Sequence, residues 1–209
     1  MRDAIDADLR VLSAMSGLLL VLFLIAHLAG LVPALIAPAS FEAYAIRLHH
    51  SAWLPVLELA LGLTAVVHIS LTIRTVILNR RAGNSASLAS RRRQPLASWA
   101  TRSRLAAGLI TLAFLVVHLM QLRLPRPVDG AERAVLISVL HQPIWALSYS
   151  AAAVAVGLHL LHGQEAAHRS MGWLTPANAD TIRLGGRALA ALIGGGFLII
   201  SVFTGMGAA

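Results

Sequence analysis

Nine histidines stand in a chain of 209 residues, and four of them (His27, His68, His118 and His159) fall inside long apolar runs. A lone histidine on an apolar helix is most often a satisfied interior residue. Four of them, one in each of the first four runs, ask for another explanation, because an ionisable group inside a bilayer is costly and marks a functional site by default. Imidazole can carry protons, bind a bare metal or hold a haem iron axially. Cysteine is absent, which excludes disulfides, iron–sulfur ligation, thiol catalysis and Cys-based zinc sites for this chain.

The elements that must position these histidines are membrane spans. Hydrophobic residues make up 57% of the chain and charged ones 12%, where soluble chains average about 25% charged. That deficit excludes a disordered chain and argues against an ordinary soluble domain. Apolar stretches at 11–36, 52–78, 105–122, 143–161 and 188–203 each approach the roughly 20 helical residues that cross a hydrocarbon core. Helices are the natural solution, since lone strands would leave backbone groups unpaired in lipid. The expectation is an all-α bundle of five transmembrane helices forming one domain. The first run is too long for a cleaved leader and is preceded by mixed charge, so no signal peptide is expected. No internal repeat is evident beyond a quasi-regular spacing of the histidines.

Charge orients the bundle. The formal net charge is +8, with seventeen arginines and no lysine. These arginines flank apolar runs instead of forming a polar patch, so nucleic acid is not an expected partner. The stretch 79–104 carries seven arginines and no acid, and Arg169, Arg183 and Arg187 follow the fourth run. Connections on the other side dilute Arg47, Arg123, Arg126 and Arg133 with Glu42, Asp129 and Glu132. The positive-inside rule places the N-terminus in the cytoplasm and the C-terminus outside. The arginine run is first of all a topology signal, and it also offers a surface to a cytoplasmic subunit or lipid head groups.

With that orientation, depth follows from a rise of about 1.5 Å per residue. His27 and His118, on two upward spans, share a level in the outer half. His68 and His159, on two downward spans, share one in the inner half. Two imidazoles from facing helices can ligate one haem iron in a bundle core. Small residues nearby, among them Gly17, Gly30, Gly62, Gly108 and Gly157, leave room for a macrocycle or serve plain close packing. A histidine-based metal or proton transporter is the competing class. Such sites usually gather acids and several ligands at one depth, whereas only Glu58 lies deep in a span here.

The ordered motifs bear a family likeness. The segments 16–27 (SGLLLVLFLIAH), 57–68 (LELALGLTAVVH), 104–118 (RLAAGLITLAFLVVH) and 159–163 (HLLHG), with Gly172-Trp173 downstream, resemble the ligand helices of a known group. It is the five-span, di-haem cytochrome b anchor subunit of succinate dehydrogenase and fumarate reductase. The resemblance implies two b haems, His27 with His118 for the outer and His68 with His159 for the inner. His162 is the rival to His159, three residues on and on nearly the same face. The resemblance also implies a flavoprotein subunit carrying FAD, an iron–sulfur subunit, a menaquinone or ubiquinone, and residence in a bacterial cytoplasmic (inner) membrane. Other cytochrome b subunits, such as those of hydrogenases or formate dehydrogenases, and an anchor without haem are the further readings.

Glu58 is the expected quinone and proton residue, since it sits about 15 Å along its helix from His68, near the outer level. A carboxyl paired with Arg47 or a histidine is the bland alternative. For the inner haem's propionates, Arg10, Ser13, Ser16, Arg74, Trp99, Arg102, Arg104 and His168 stand in suitable positions. His49, His50 and Trp53 are expected at the outer interface, His141 in a loop, and Glu165 solvated.

Overall fold

The computed structural model describes residues 2–81 and 95–207. Within them the chain is all-helical: α1 (Arg2–Leu31), α2 (Pro33–Ile36), α3 (Pro38–His49), α4 (Leu54–Arg81), α5 (Pro95–His118), α6 (Glu132–Leu140), α7 (Pro143–Ser170) and α8 (Ala179–Gly205). A single π-helical turn, Leu119–Arg123, continues α5. Five stretches are long and apolar enough to cross a membrane, at Ile5–Ile36, Leu54–Arg81, Leu105–Arg123, Pro143–Ser170 and Ala179–Gly205.

Prolines set several of the starts. Pro33, Pro38 and Pro143 each occupy the first helical position, where the missing N–H costs nothing and the fixed φ suits the helix. Pro33 also divides the first expected span into α1 and α2. The ends differ more from expectation. The fourth span runs to Ser170 and the fifth covers 27 residues, from Ala179. Helix continues past the apolar stretch because Arg169, Arg183 and Arg187 are good helix formers and their long stems reach water from a helix end. Gly172 follows α7 with φ +73°, the left-handed position at which glycine closes a helix.

Several hydroxyl side chains within the spans bond back to their own helix. Thr64, Thr111, Ser148 and Ser201 each donate to the carbonyl four residues earlier, at 2.7–2.8 Å. In lipid this local bond replaces the water that a surface hydroxyl would use.

In the bundle α1 packs on α4 and α7, α5 packs on α7, and α7 lies along α8. The closest seam is α7 against α8, where Gly157 faces Gly194 backbone to backbone. Small residues there allow the approach that dispersion packing needs in lipid. Ile193, fully buried, anchors that seam with Leu160 and Ala190. At the end opposite the N-terminus, α3 and α6 form a cap whose core is Ala34, Phe41, Leu136, Leu140 and Tyr149. The most apolar window of α4 holds no buried residue at all.

Candidate functional site

The histidine-bearing helices bring their rings together in two tiers. His27 on α1 and His118 at the end of α5 have ring centroids 5.9 Å apart, with planes inclined at 77°. His68 on α4 and His159 on α7 stand 6.3 Å apart, inclined at 86°. Gly17, against the His68 ring, precedes His27 by ten residues on α1, which sets the tiers about 15 Å apart along the helix.

The backbones do not share this closeness. Neither α1 with α5 nor α4 with α7 belongs to the helix pairs that pack together. Each histidine pair therefore spans an opening between helices. With a metal–nitrogen bond of about 2 Å and a nitrogen about 1 Å from its ring centre, two imidazoles trans across one ion have centroids about 6 Å apart. Both observed separations fit that figure. Among the described residues no three or more of His, Asp and Glu gather as a cage for a bare ion. Two imidazole nitrogens per tier would suffice to hold a group that brings its remaining metal ligands with it.

The rings are seated by their surroundings. The Nδ1 of His68 lies 3.2 Å from the Ser13 carbonyl and 3.3 Å from the hydroxyl of buried Ser16. A Cβ on Gly17 would stand 2.9 Å from His68 Cε1, so a side chain there must push against that ring. Gly108 faces His159 more loosely, at 3.5 Å. In the outer tier Phe23 stacks on His27 at 5.4 Å, Phe114 packs on His118 at 5.7 Å, and Phe197 of α8 closes on His27 at 5.8 Å. The Tyr149 ring is 6.1 Å from His118, and its hydroxyl is buried without a hydrogen bond, as is His118 Nδ1.

Four of the site's residues recur at a single spacing. An offset of 91 residues carries Gly17 to Gly108, Phe23 to Phe114, His27 to His118 and His68 to His159. Apolar residues interchange freely in lipid-facing helices, so the likeness hides until the shared ring neighbours single out the positions that match.

Glu58 is not a lone carboxyl. Arg123, in the π turn after α5, reaches it through both Nε, at 2.6 Å, and Nη2. The partner is thus neither Arg47 nor a histidine. A π turn often marks a functional position, and this one swings Arg123 toward α4. Among the inner candidates, Ser13 and Ser16 face His68, and Arg74 pairs with Asp6 at 2.7 Å. Arg10 is exposed. The side chains of Trp99, Arg102 and Arg104 lie outside the described residues, as do Arg91, Arg92 and Arg93. His162 is half-buried on α7, one turn beyond His159. His168 bonds the Gln164 carbonyl and packs edge-on against Trp173. Glu165 is not solvated: 12% of its side chain is exposed, between Arg169 and Arg183.

Sequence reasoning missed the clasp between α3 and α6. Glu42 accepts the backbone N–H groups of Glu132 and Arg133, which caps α6, while His49 lies 3.3 Å from Glu132 and His50 pairs with Asp129 at 2.8 Å. Burial, and then a hydrogen bond shared with Glu132, pushes the Glu42 carboxyl above the usual range. Burial acts to raise Glu132 too, but the bond from Glu42, backbone N–H donors and nearby His49 outweigh it and bring Glu132 below. The only signal in the sequence was acids and histidines recurring on one side of the membrane.

Comparison with known families, with curated proteins and with solved structures returns no match to this chain.

Proposed function

We propose that this chain is a membrane-anchor cytochrome b, passing electrons between an iron–sulfur partner and a membrane quinone in a succinate:quinone oxidoreductase. The observation that carries the reading is the double one above: each histidine pair meets at about the axial-ligand spacing while its helices stay apart. Bound in each tier, a b haem would supply one-electron carriage, with a potential set by its ligands, burial and nearby charge.

The chain's own residues supply the rest. His27 and His118 hold the outer group, His68 and His159 the inner, and Gly17 and Gly108 keep the inner rings clear of neighbouring helices. Glu58 and Arg123 serve the quinone. Arg123 donates to a carbonyl oxygen of the head group, and Glu58 takes or gives the proton that accompanies each electron. The N-terminal end, with its arginine-rich connection, faces the cytoplasm of a bacterial inner membrane and docks the iron–sulfur subunit, whose flavoprotein neighbour carries FAD.

The test is the spectrum and haem content of the purified protein. Two bis-histidine b haems per chain, reduced by succinate in a preparation that retains a flavoprotein, support the reading. A chain that binds no haem refutes it. Reduction by hydrogen or formate in place of succinate refutes the choice of partner and leaves the cytochrome standing.

A further inference from the structure

We propose that Ser16, with the carbonyl of Ser13, is the positioning element of one haem ligand: it presets the tautomer and rotamer of His68 and strengthens that imidazole as a donor. The inference rests on the reading of His68 as an axial ligand.

Ser13 and Ser16 are three residues apart on α1, so they lie on one face. The Ser16 hydroxyl donates back to the Ser13 carbonyl at 3.0 Å. His68 Nδ1 comes to 3.2 Å from that same carbonyl and 3.3 Å from the Ser16 oxygen. A carbonyl oxygen only accepts, so Nδ1 must carry the ring proton. The lone pair is then on Nε2, the ring's other nitrogen. Ser16 is 4% exposed, so water does not compete for these bonds. Gly17 completes the seat, since any side chain there would displace the ring. Three features of one face of α1 thus address one imidazole from another helix.

The position 91 residues on shows a methyl group in the place of the hydroxyl. At the 91-residue offset Gly17 has its counterpart in Gly108, beside His159, but Ser16 is answered by Ala107. A methyl group fills that place, buried like Ser16. In the outer tier His118 Nδ1 is buried without a hydrogen bond. An N–H···O bond from a ligating histidine raises its basicity and fixes its orientation. A more basic ligand favours the oxidised iron, so the Ser13–Ser16 seat lowers the potential of the inner group and leaves the outer one alone.

The experiment is a redox titration of both haem bands in the assembled wild-type complex and in Ser16→Ala and Ser16→Thr variants, with haem counted per chain. In Ser16→Ala the inner band is expected to lose about threefold of its preference for the oxidised state, a rise of about 28 mV at 59 mV per tenfold for one electron. The outer band should not move, haem should stay at two per chain, and Ser16→Thr should match the wild type. An unchanged inner potential with two haems bound overturns this inference while the proposed function stands. A wild type without haem overturns both. Should Ser16→Ala not accumulate, nitrogen NMR of His68 in the cofactor-depleted wild type decides: the Nδ1-protonated neutral ring supports the seat, and the Nε2-protonated ring overturns it.

Discussion

His27 and His118 meet ring to ring at 5.9 Å although the helices that carry them do not pack together. Side chains that touch across such an opening are each held from their own side, here by Phe23 and Phe114. If the opening takes a haem, replacing either histidine removes that group alone. His27→Ala and His118→Ala should each lower the haem count from two to one per chain, with the inner band retained, as pyridine haemochrome assay and low-temperature spectra would show. Retention of both haems in either variant counts against the pairing.

Gly17 and Gly108 stand at matching positions but differ in clearance. A methyl on Gly17 would meet His68 Cε1 at 2.9 Å, whereas one on Gly108 would rest 3.5 Å from His159. Gly17→Ala should therefore weaken inner haem binding by about tenfold, the low end of what disturbing a ligand's support costs. Gly108→Ala should bind as the wild type does. Equal occupancy of the inner tier in the two variants would show that the His68 ring can move aside.

Gly194 answers Gly157 across the α7–α8 seam, and a Cβ there would stand 2.9 Å from Gly157 Cα and 3.1 Å from the Ala153 carbonyl. Backbone cannot yield as a side chain does. Gly194→Ala should destabilise the bundle by about 1–3 kcal/mol, the usual cost of overpacking, seen as a lower Tm in detergent. Gly62→Ala, with open space around its Cβ, is the control and should not lower it.

The shifts of Glu42 and Glu132 predict a pH optimum for the α3–α6 clasp. Glu42 is raised, so its contribution is full below the ordinary glutamate range and fades as pH climbs through the raised value. Glu132 is lowered, so its contribution is full above that range and fades as pH falls through the lowered value. Thermal stability should peak in the mildly acid interval between the two. Glu42→Gln keeps a neutral hydrogen-bonding group there and should flatten the alkaline limb only. Differential scanning across pH would check it, and an unaltered alkaline limb would remove Glu42 from the account.

Glu58 and Arg123 form one unit, so removing the acid strands a cation. Glu58→Gln should cut quinone turnover by about a hundredfold, the lower range for a lost proton-transfer group, with two haems still bound. Stopped-flow quinol oxidation compared with haem content separates this from misfolding. Full turnover in the variant would move the proton chemistry elsewhere.

The apolar runs are legible in sequence because lipid demands their length, and among the described residues five stretches are long and apolar enough to cross a membrane. Their ends are not legible, because arginines near a membrane surface neither end a helix nor extend a hydropathy window, as α8 shows from Ala179. Depth arithmetic groups His27 with His118 and His68 with His159, and those rings lie side by side, since a rigid helix turns residue number into height. Azimuth is another matter. That Arg123 turns toward Glu58, or Ser16 toward His68, depends on how separate helices face one another, and no local pattern encodes it. The Glu42–Glu132 contact joins residues 90 apart on two short helices, beyond the reach of any periodicity.

The bare flank of α4 bears on biogenesis. A span with no buried residue in its apolar window, leaning on α1, has little of its own to keep it docked. On the function proposed here, tetrapyrrole wedged between His68 and His159 acts as missing core, stabilising the assembled form by mass action. A cell starved of iron would then make chains with one loose rod. Quality-control proteases that seize such rods would match the supply of this anchor to that of its pigment.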